Sequence, residues 1–150
     1  RRHMFDYLGG KFKRKFDQVN RMSIPPEFRE LLGSKVYLIS SLYDDPCIWV
    51  FSEEKFAIFA EGIDDTFEGE EQAQIQRLLA DRLSIAGVDR SGRITVPEEQ
   101  REWAELGEEV FVVGMGNRVE LWSEENWQSH KTFSGDKSRI TLSPKGARRV

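Results

Sequence analysis

A chain of 150 residues, 39% apolar and 32% charged, is long enough to bury a core and has the composition of an ordinary soluble globular protein. No apolar run approaches the ~20 residues a membrane span needs, no signal-peptide pattern opens the chain, and the single Cys47 excludes an intrachain disulfide. The net charge of −4 is unevenly spread, with nine Lys/Arg against four Asp/Glu in residues 1–35, three against eleven in 44–83, five against ten in 84–133 and five against one beyond.

Arg1 to His3, ahead of Met4, read as a tag remnant and are set aside. From Lys11 to Phe16 the chain alternates weakly, which predicts a strand with Lys11, Lys13 and Lys15 on one side and Phe12 and Phe16 on the other. The basic run, Arg14 included, is either a solvated strand face or a set of phosphate contacts that fix register without reading sequence. Asp17 to Asn20 is a turn: Asp favours its first position, and Asn tolerates the left-handed conformation that closes it. Met22-Ser23-Ile24 is a short strand ended by Pro25, and residues 26–33 form a short helix opened by proline and stopped by Gly33. Residues 36–40 and 48–51 are strands around Asp44-Asp45-Pro46, and Ser52 caps a helix beginning at Glu53. The acidic stretch 61–71 reads as a solvated loop or a fraying helix entry. Residues 69–84 follow as a longer helix, with Ile75, Leu78, Leu79 and Leu83 on one stripe.

The chain then repeats itself. Asp89-Arg90-Ser91-Gly92-Arg93-Ile94-Thr95-Val96-Pro97 echoes Asp17 to Pro25 at a spacing of 72 residues, and Arg101 echoes Arg29. Asp first and Gly fourth suit a type I turn followed by a glycine bulge. A second short helix runs from Pro97 to Gly107, residues 110–113 pair with 118–122, and Ser123 caps a last helix. Past Phe133 the basic tail is weakly patterned. Its Asp136-Lys137-Ser138-Arg139 is a shortened version of the motif, and Arg148 and Arg149 either add mobile phosphate contacts or do nothing. Two copies are too few for a solenoid, so the expected architecture is α+β: two pseudo-symmetric β-rich halves with short flanking helices, sharing one core. The divisions are 4–60, an acidic connector 61–84, a second repeat 85–133, and a tail 134–150.

An arginine after a turn aspartate would mean little once, since a surface hairpin with an exposed arginine is the common case. Its return at the same place is informative, because no turn geometry requires it. Guanidinium reads guanine O6 and N7 bidentately and binds phosphate in a fork, and the tip of a two-stranded ribbon fits a major groove. Arg90, inside the second turn, adds a further cation there. The bordering Asp17 and Asp89 either shape the turn or also orient the arginine. Cys47 and His130 supply neither a catalytic dyad nor a metal site, no carboxylate pair stands out as acid and base, and no cofactor motif is present. Trp49, Trp103, Trp122 and Trp127 are expected in the core or at subunit contacts.

The repeated Asp-x-x-(Gly/Asn)-Arg-(Met/Ile)-(Ser/Thr)-(Ile/Val)-Pro motif resembles the MraZ family, over about residues 4–133. The resemblance implies a duplicated AbrB-like swapped-hairpin fold in a bacterial transcriptional regulator. It also implies a homo-oligomeric ring of about eight or more subunits with the hairpins on one face. The implied partner is double-stranded promoter DNA carrying short direct repeats, ahead of the division and cell-wall gene cluster and the protein's own operon. That would place the protein in the cytoplasm, on the nucleoid. By the same resemblance Arg21 and Arg93 are the DNA contacts, with Asp17 and Asp89 completing the motif. The chain departs from the pattern at Val19 and Asn20, where the family has a basic residue and glycine. An antitoxin-type AbrB relative is the alternative within DNA binding, and the duplication argues against it. An oligomeric protein scaffold acting through the acidic surface is the alternative outside it.

Overall fold

The computed structural model describes residues 6–142. Six strands form one antiparallel sheet: β1 (Leu8–Lys15), β3 (Lys35–Ser40), β4 (Ile48–Ser52), β5 (Leu83–Gly87), β7 (Glu109–Gly116) and β8 (Val119–Trp122), in the order β1-β7-β8-β4-β3-β5. Two more, β2 (Arg21–Ser23) and β6 (Arg93–Thr95), form a separate two-stranded ribbon. The helices are α1 (Pro26–Leu32), α2 (Glu53–Thr66), α3 (Gly69–Arg82), α4 (Glu98–Trp103) and α5 (Glu124–His130).

The sheet order reads the same from both ends once the repeats are matched. The first strand of each half leaves its own half and pairs in the other: β1 runs beside β7, and β5 beside β3. The ribbon likewise takes one strand from each repeat, with Arg21 opposite Thr95 and Ser23 opposite Arg93. Neither half could therefore close its sheet alone, which is why the two halves share one core.

Alternation along the strands sorts the core into two clusters, one on each face of the sheet. Val36, Leu38, Ile48, Val50, Val112 and Leu121 face the layer built from the ribbon, α1 and α4, and meet Met22, Ile94 and Phe28 there. Ile39, Trp49, Phe51, Phe111, Val113 and Trp122 face α2, α3 and α5. Strands covered on both sides need apolar residues at nearly every position, hence the uniform burial of β4. Met22 and Ile94, 1% and 2% exposed, each contribute roughly 1.5–3 kcal/mol by burial and fix which side of the ribbon faces out.

Local signals explain most element ends. Ser52 and Ser123 accept hydrogen bonds from the Lys55 and Asn126 amides, capping α2 and α5 as expected. Expectations are corrected at three helices. The second short helix, expected from Pro97 to Gly107, ends at Trp103, with Ala104 and not the glycine at its C-cap. Residues 61–66, expected as loop or fraying entry, are the last turns of α2, a continuous helix that the Ser52 cap starts. The third helix stops at Arg82, and Leu83 and Ser84 belong to β5, where the β3 ladder takes them up. No helix among the described residues is long and apolar enough to cross a membrane.

Candidate nucleic-acid interface

The two turns are built alike, hydrogen bond for hydrogen bond. Asp17 Oδ1 accepts from the Val19 and Arg21 amides at 3.0 and 2.9 Å, and its Oδ2 accepts from Arg21 Nε at 2.8 Å. Asp89 Oδ1 accepts from the Ser91 and Arg93 amides at 2.9 Å each, and its Oδ2 from Arg93 Nε at 3.0 Å. Asn20 and Gly92 close the turns at φ of 66° and 79°, and their amides donate to the Asp17 and Asp89 carbonyls at 3.1 and 2.9 Å. One carboxylate oxygen therefore shapes the backbone while the other holds the arginine. Both aspartates are held below the ordinary carboxylate value, first by the amide of Arg21 or Arg93 and with smaller help from the guanidinium, partly opposed by desolvation.

Fixing Nε leaves the opposite edge of each guanidinium, Nη1 and Nη2, without a hydrogen bond among the described residues, and that edge is the one able to fork onto guanine or phosphate. The ribbon decides where these edges lie. Met22 and Ile94 point into the core, so Arg21, Ser23, Arg93 and Thr95 form its outer face. Arg21 and Arg93 are diagonal neighbours there, close enough for their long side chains to share one surface. The turns leave from opposite ends of the ribbon, because the Ile24 amide bonds Gly92 at one end and the Val96 amide bonds Asn20 at the other. The ribbon anticipated from sequence as two strands of one repeat is thus one strand from each. Both arginines come to a single surface.

The other sequence-predicted cations are placed less uniformly. Arg90 and Lys15 are exposed beside the second and first turns. Arg14 points to the ribbon's side of the sheet, half-buried, with Nη1 donating to the Lys13 carbonyl at 2.9 Å. Lys11 and Lys13 lie on the sheet face opposite the ribbon. Lys11 Nζ is 4.7 Å from the Phe111 ring centroid, and Lys13 Nζ lies 3.5 Å from Glu109 and 3.9 Å from Glu124. The structure does not bring these two together with Arg21 and Arg93.

The shortened third motif does not reproduce the device. The Asp136 carboxylate accepts from the Ser138 amide and hydroxyl and, among the described residues, holds no arginine. Arg148 and Arg149 lie outside the described residues. Two residues that the sequence reading left without a role are Arg29 and Arg101, whose Nε atoms donate to the Ile24 and Val96 carbonyls at 2.8 and 3.0 Å. Their recurrence in register was the available signal. Trp49 and Trp122 are buried, with Arg118 stacked 4.9 Å from the Trp49 ring centroid. Cys47 is buried, which pushes its thiol up and keeps it protonated. No group of three His, Cys, Asp or Glu with metal-binding geometry occurs among the described residues.

A family model described as "MraZ protein, putative antitoxin-like" matches residues 86–145. The transcriptional regulator MraZ of Caldicellulosiruptor saccharolyticus is 35% identical over 122 residues, covering 81% of this chain and 84% of that protein. That of Carboxydothermus hydrogenoformans is 34% identical over 122 residues, with the same coverage of both. That of Acetivibrio thermocellus is 31% identical over 130 residues, covering 86% and 87%. Among solved structures, the solution structure of PHS018 from Pyrococcus horikoshii aligns at 17% identity and a TM-score of 0.33, covering 77% of this chain and 97% of that one, a likeness too weak to carry any argument.

Proposed function

Because this chain belongs to the MraZ family, we propose that it is a transcriptional regulator, not an enzyme, which reads promoter DNA with the outer face of the β2–β6 ribbon. The observation that carries this reading is the pair of arginines, each held at Nε by its own turn aspartate and presenting its free edge on one surface. Preorganisation of this kind lowers the entropy lost on binding. Arg21 and Arg93 read base edges or grip phosphates. Arg90 and Arg14 add cations on or near that side, and Lys11, Lys13 and Lys15 act only where the DNA path wraps past the sheet edge.

One subunit has little to bind with. Its net charge is −4, and Glu27, Glu30, Glu98, Glu99 and Glu102 stand on the two helices beside the ribbon. Affinity then has to come from several copies acting on several short repeats, which is the ring of about eight or more subunits expected for the family. A feature that supports self-association is the outer helical layer. Neither α2 nor α3 buries a single residue completely, and Ile58 and Ile85 on that side are each 56% exposed. The regulated genes in this reading are the division and cell-wall cluster and the protein's own operon, with the protein on the nucleoid.

The test is fluorescence anisotropy against DNA from upstream of the gene, comparing wild type with the Arg21→Ala/Arg93→Ala double variant at two salt concentrations. Specific binding that the double variant loses, and that weakens steeply with salt, is the expected result. No preference of the wild type for that DNA over a scrambled duplex would refute the autoregulator reading. Equal binding by the double variant would move the site elsewhere.

A further inference from the structure

Each turn has a second support that comes from the other repeat. The ribbon ends at two rungs, Ile24 N–H to Gly92 O at 2.8 Å and Val96 N–H to Asn20 O at 3.2 Å. The carbonyls of those same two residues, Ile24 and Val96, are the ones that accept from Arg29 and Arg101. Arg29, from α1 of the first repeat, thus sits where β2 meets the second turn, and its side chain covers that turn: a Cβ at Gly92 would collide with its Nε and Cζ. Arg101, from α4 of the second repeat, is placed symmetrically, lining a hollow with Phe16, Asp17 and Asn20 of the first turn. The match is not perfect, because Asn20 carries a side chain where Gly92 has none. The grip on the second turn is therefore the closer of the two.

We propose that Arg29 and Arg101 are positioning residues that act across the repeat boundary, Arg29 setting the Asp89–Arg93 turn and Arg101 the Asp17–Arg21 turn. The exchange follows from the fold. A helix that packs beneath the ribbon after β2 lies beside the end of β2, and in an antiparallel ribbon that end meets the other strand's turn. A guanidinium suits the position: Nε satisfies a carbonyl at the end of a strand, and the flat group lies against a glycine backbone as a bulkier side chain could not. Each repeat's helix in consequence holds the other repeat's turn. For its effect on DNA the inference rests on the reading proposed above. For the turns themselves it does not.

The experiment uses the full chain and two readouts. Amide hydrogen exchange without DNA is measured in wild type, Arg29→Ala, Arg29→Lys and Arg101→Ala, all first checked for native circular dichroism. Arg29→Ala is expected to speed exchange about tenfold at Ser91, Gly92 and Arg93 while leaving Val19 to Arg21 near wild type, with Arg101→Ala doing the reverse. Arg29→Lys, which keeps the charge but lacks the planar group, is expected to fall between wild type and Arg29→Ala. Anisotropy supplies the second readout, as double-mutant cycles. Arg29→Ala is expected to be non-additive with Arg93→Ala and additive with Arg21→Ala, and the salt slope to be unchanged. Faster exchange in the first turn upon Arg29→Ala overturns the inference. So does a salt slope reduced by about one with exchange unaltered, because that is the mark of a direct phosphate contact. If wild type binds no DNA, the functional reading fails on its own account, and the exchange pattern still decides whether the turns are set across the boundary.

Discussion

At the scale of single residues, the aspartate in each turn has two jobs that chemistry can separate. Asn at position 89 keeps an oxygen able to accept from the Ser91 and Arg93 amides, as Asp89 Oδ1 does. Its amide nitrogen, however, would face Arg93 Nε, donor against donor, where Oδ2 now accepts. Asp89→Asn is therefore expected to preserve the turn and free the arginine, lowering DNA affinity roughly tenfold through lost preorganisation. Unchanged turn amide shifts with weakened binding is the result sought in NMR and anisotropy, and wild-type affinity would show that fixing Nε is irrelevant. The pH dependence has a definite sign. The carboxylates titrate lower in the folded chain than their ordinary value of 3.8. Their stabilising effect is thus complete above that value and lost as pH falls through the lowered folded value. The Arg21 and Arg93 amide shifts should be flat near neutrality and move only below pH 3.8. A midpoint above that value would contradict the geometry.

At the scale of elements, the exchanged first strands hold the halves together, and β1 is attached by an unusually close approach. Gly114 on β7 faces Gly10 on β1, and a Cβ at Gly114 would come within 2.6 Å of Gly9 N, Leu8 C and Leu8 O. Those are backbone atoms engaged in the ladder, so they cannot yield without loss of pairing. Gly114→Ala is expected to cost ~1–3 kcal/mol, read as a lowered urea midpoint. Gly87→Ala on β5, where a Cβ meets nothing within 4 Å, should shift stability by less than about 0.5 kcal/mol. Equal midpoints for the two variants would mean β1 is not docked as described. The same exchanged strands mark the limit of sequence reading. The turns were legible because Asp89, Gly92 and Arg93 carry their geometry locally, and the caps because Ser52 and Ser123 stand immediately before acidic first turns. Strand β5 was hidden because Leu83 continues the helical stripe of Ile75 and Leu79, and only the β3 partner turns the chain into a strand. The pairing of β1 with β7 was hidden from residue patterns because a strand followed by a tight turn reads as half of a local hairpin. Where the lysines point follows from that pairing. Alternation placed Lys11, Lys13 and Lys15 on one side, but only the sheet reveals that this side looks away from the ribbon.

At the scale of the whole molecule, charge and symmetry point the same way. Most of the acidic residues of segment 44–83 lie on α2 and α3, on the sheet face opposite the ribbon, so the strongest negative charge is held away from the arginines. Screening at physiological salt, with a Debye length of about 8 Å, reduces what remains of its repulsion. A single subunit still offers few cations, so its binding to one short repeat should be weak and only shallowly salt-dependent, the steep dependence arising when several copies bind together. Linking subunits in a ring converts later contacts into intramolecular ones, a gain of roughly 10²–10⁴ in apparent affinity without any new contact. Ile58→Asp tests this, because Ile58 is exposed in the single chain and its replacement should leave the fold intact. If α2 lies in the subunit interface, sedimentation will show a smaller species. Affinity for a duplex with several repeats will then fall by about two orders of magnitude or more, while affinity for a one-repeat duplex stays as it was. A variant that still assembles places the interface elsewhere than at Ile58. A variant that dissociates yet holds multi-repeat DNA as tightly as wild type would show that the ribbon of one subunit suffices, and the weakness inferred from its charge would be wrong.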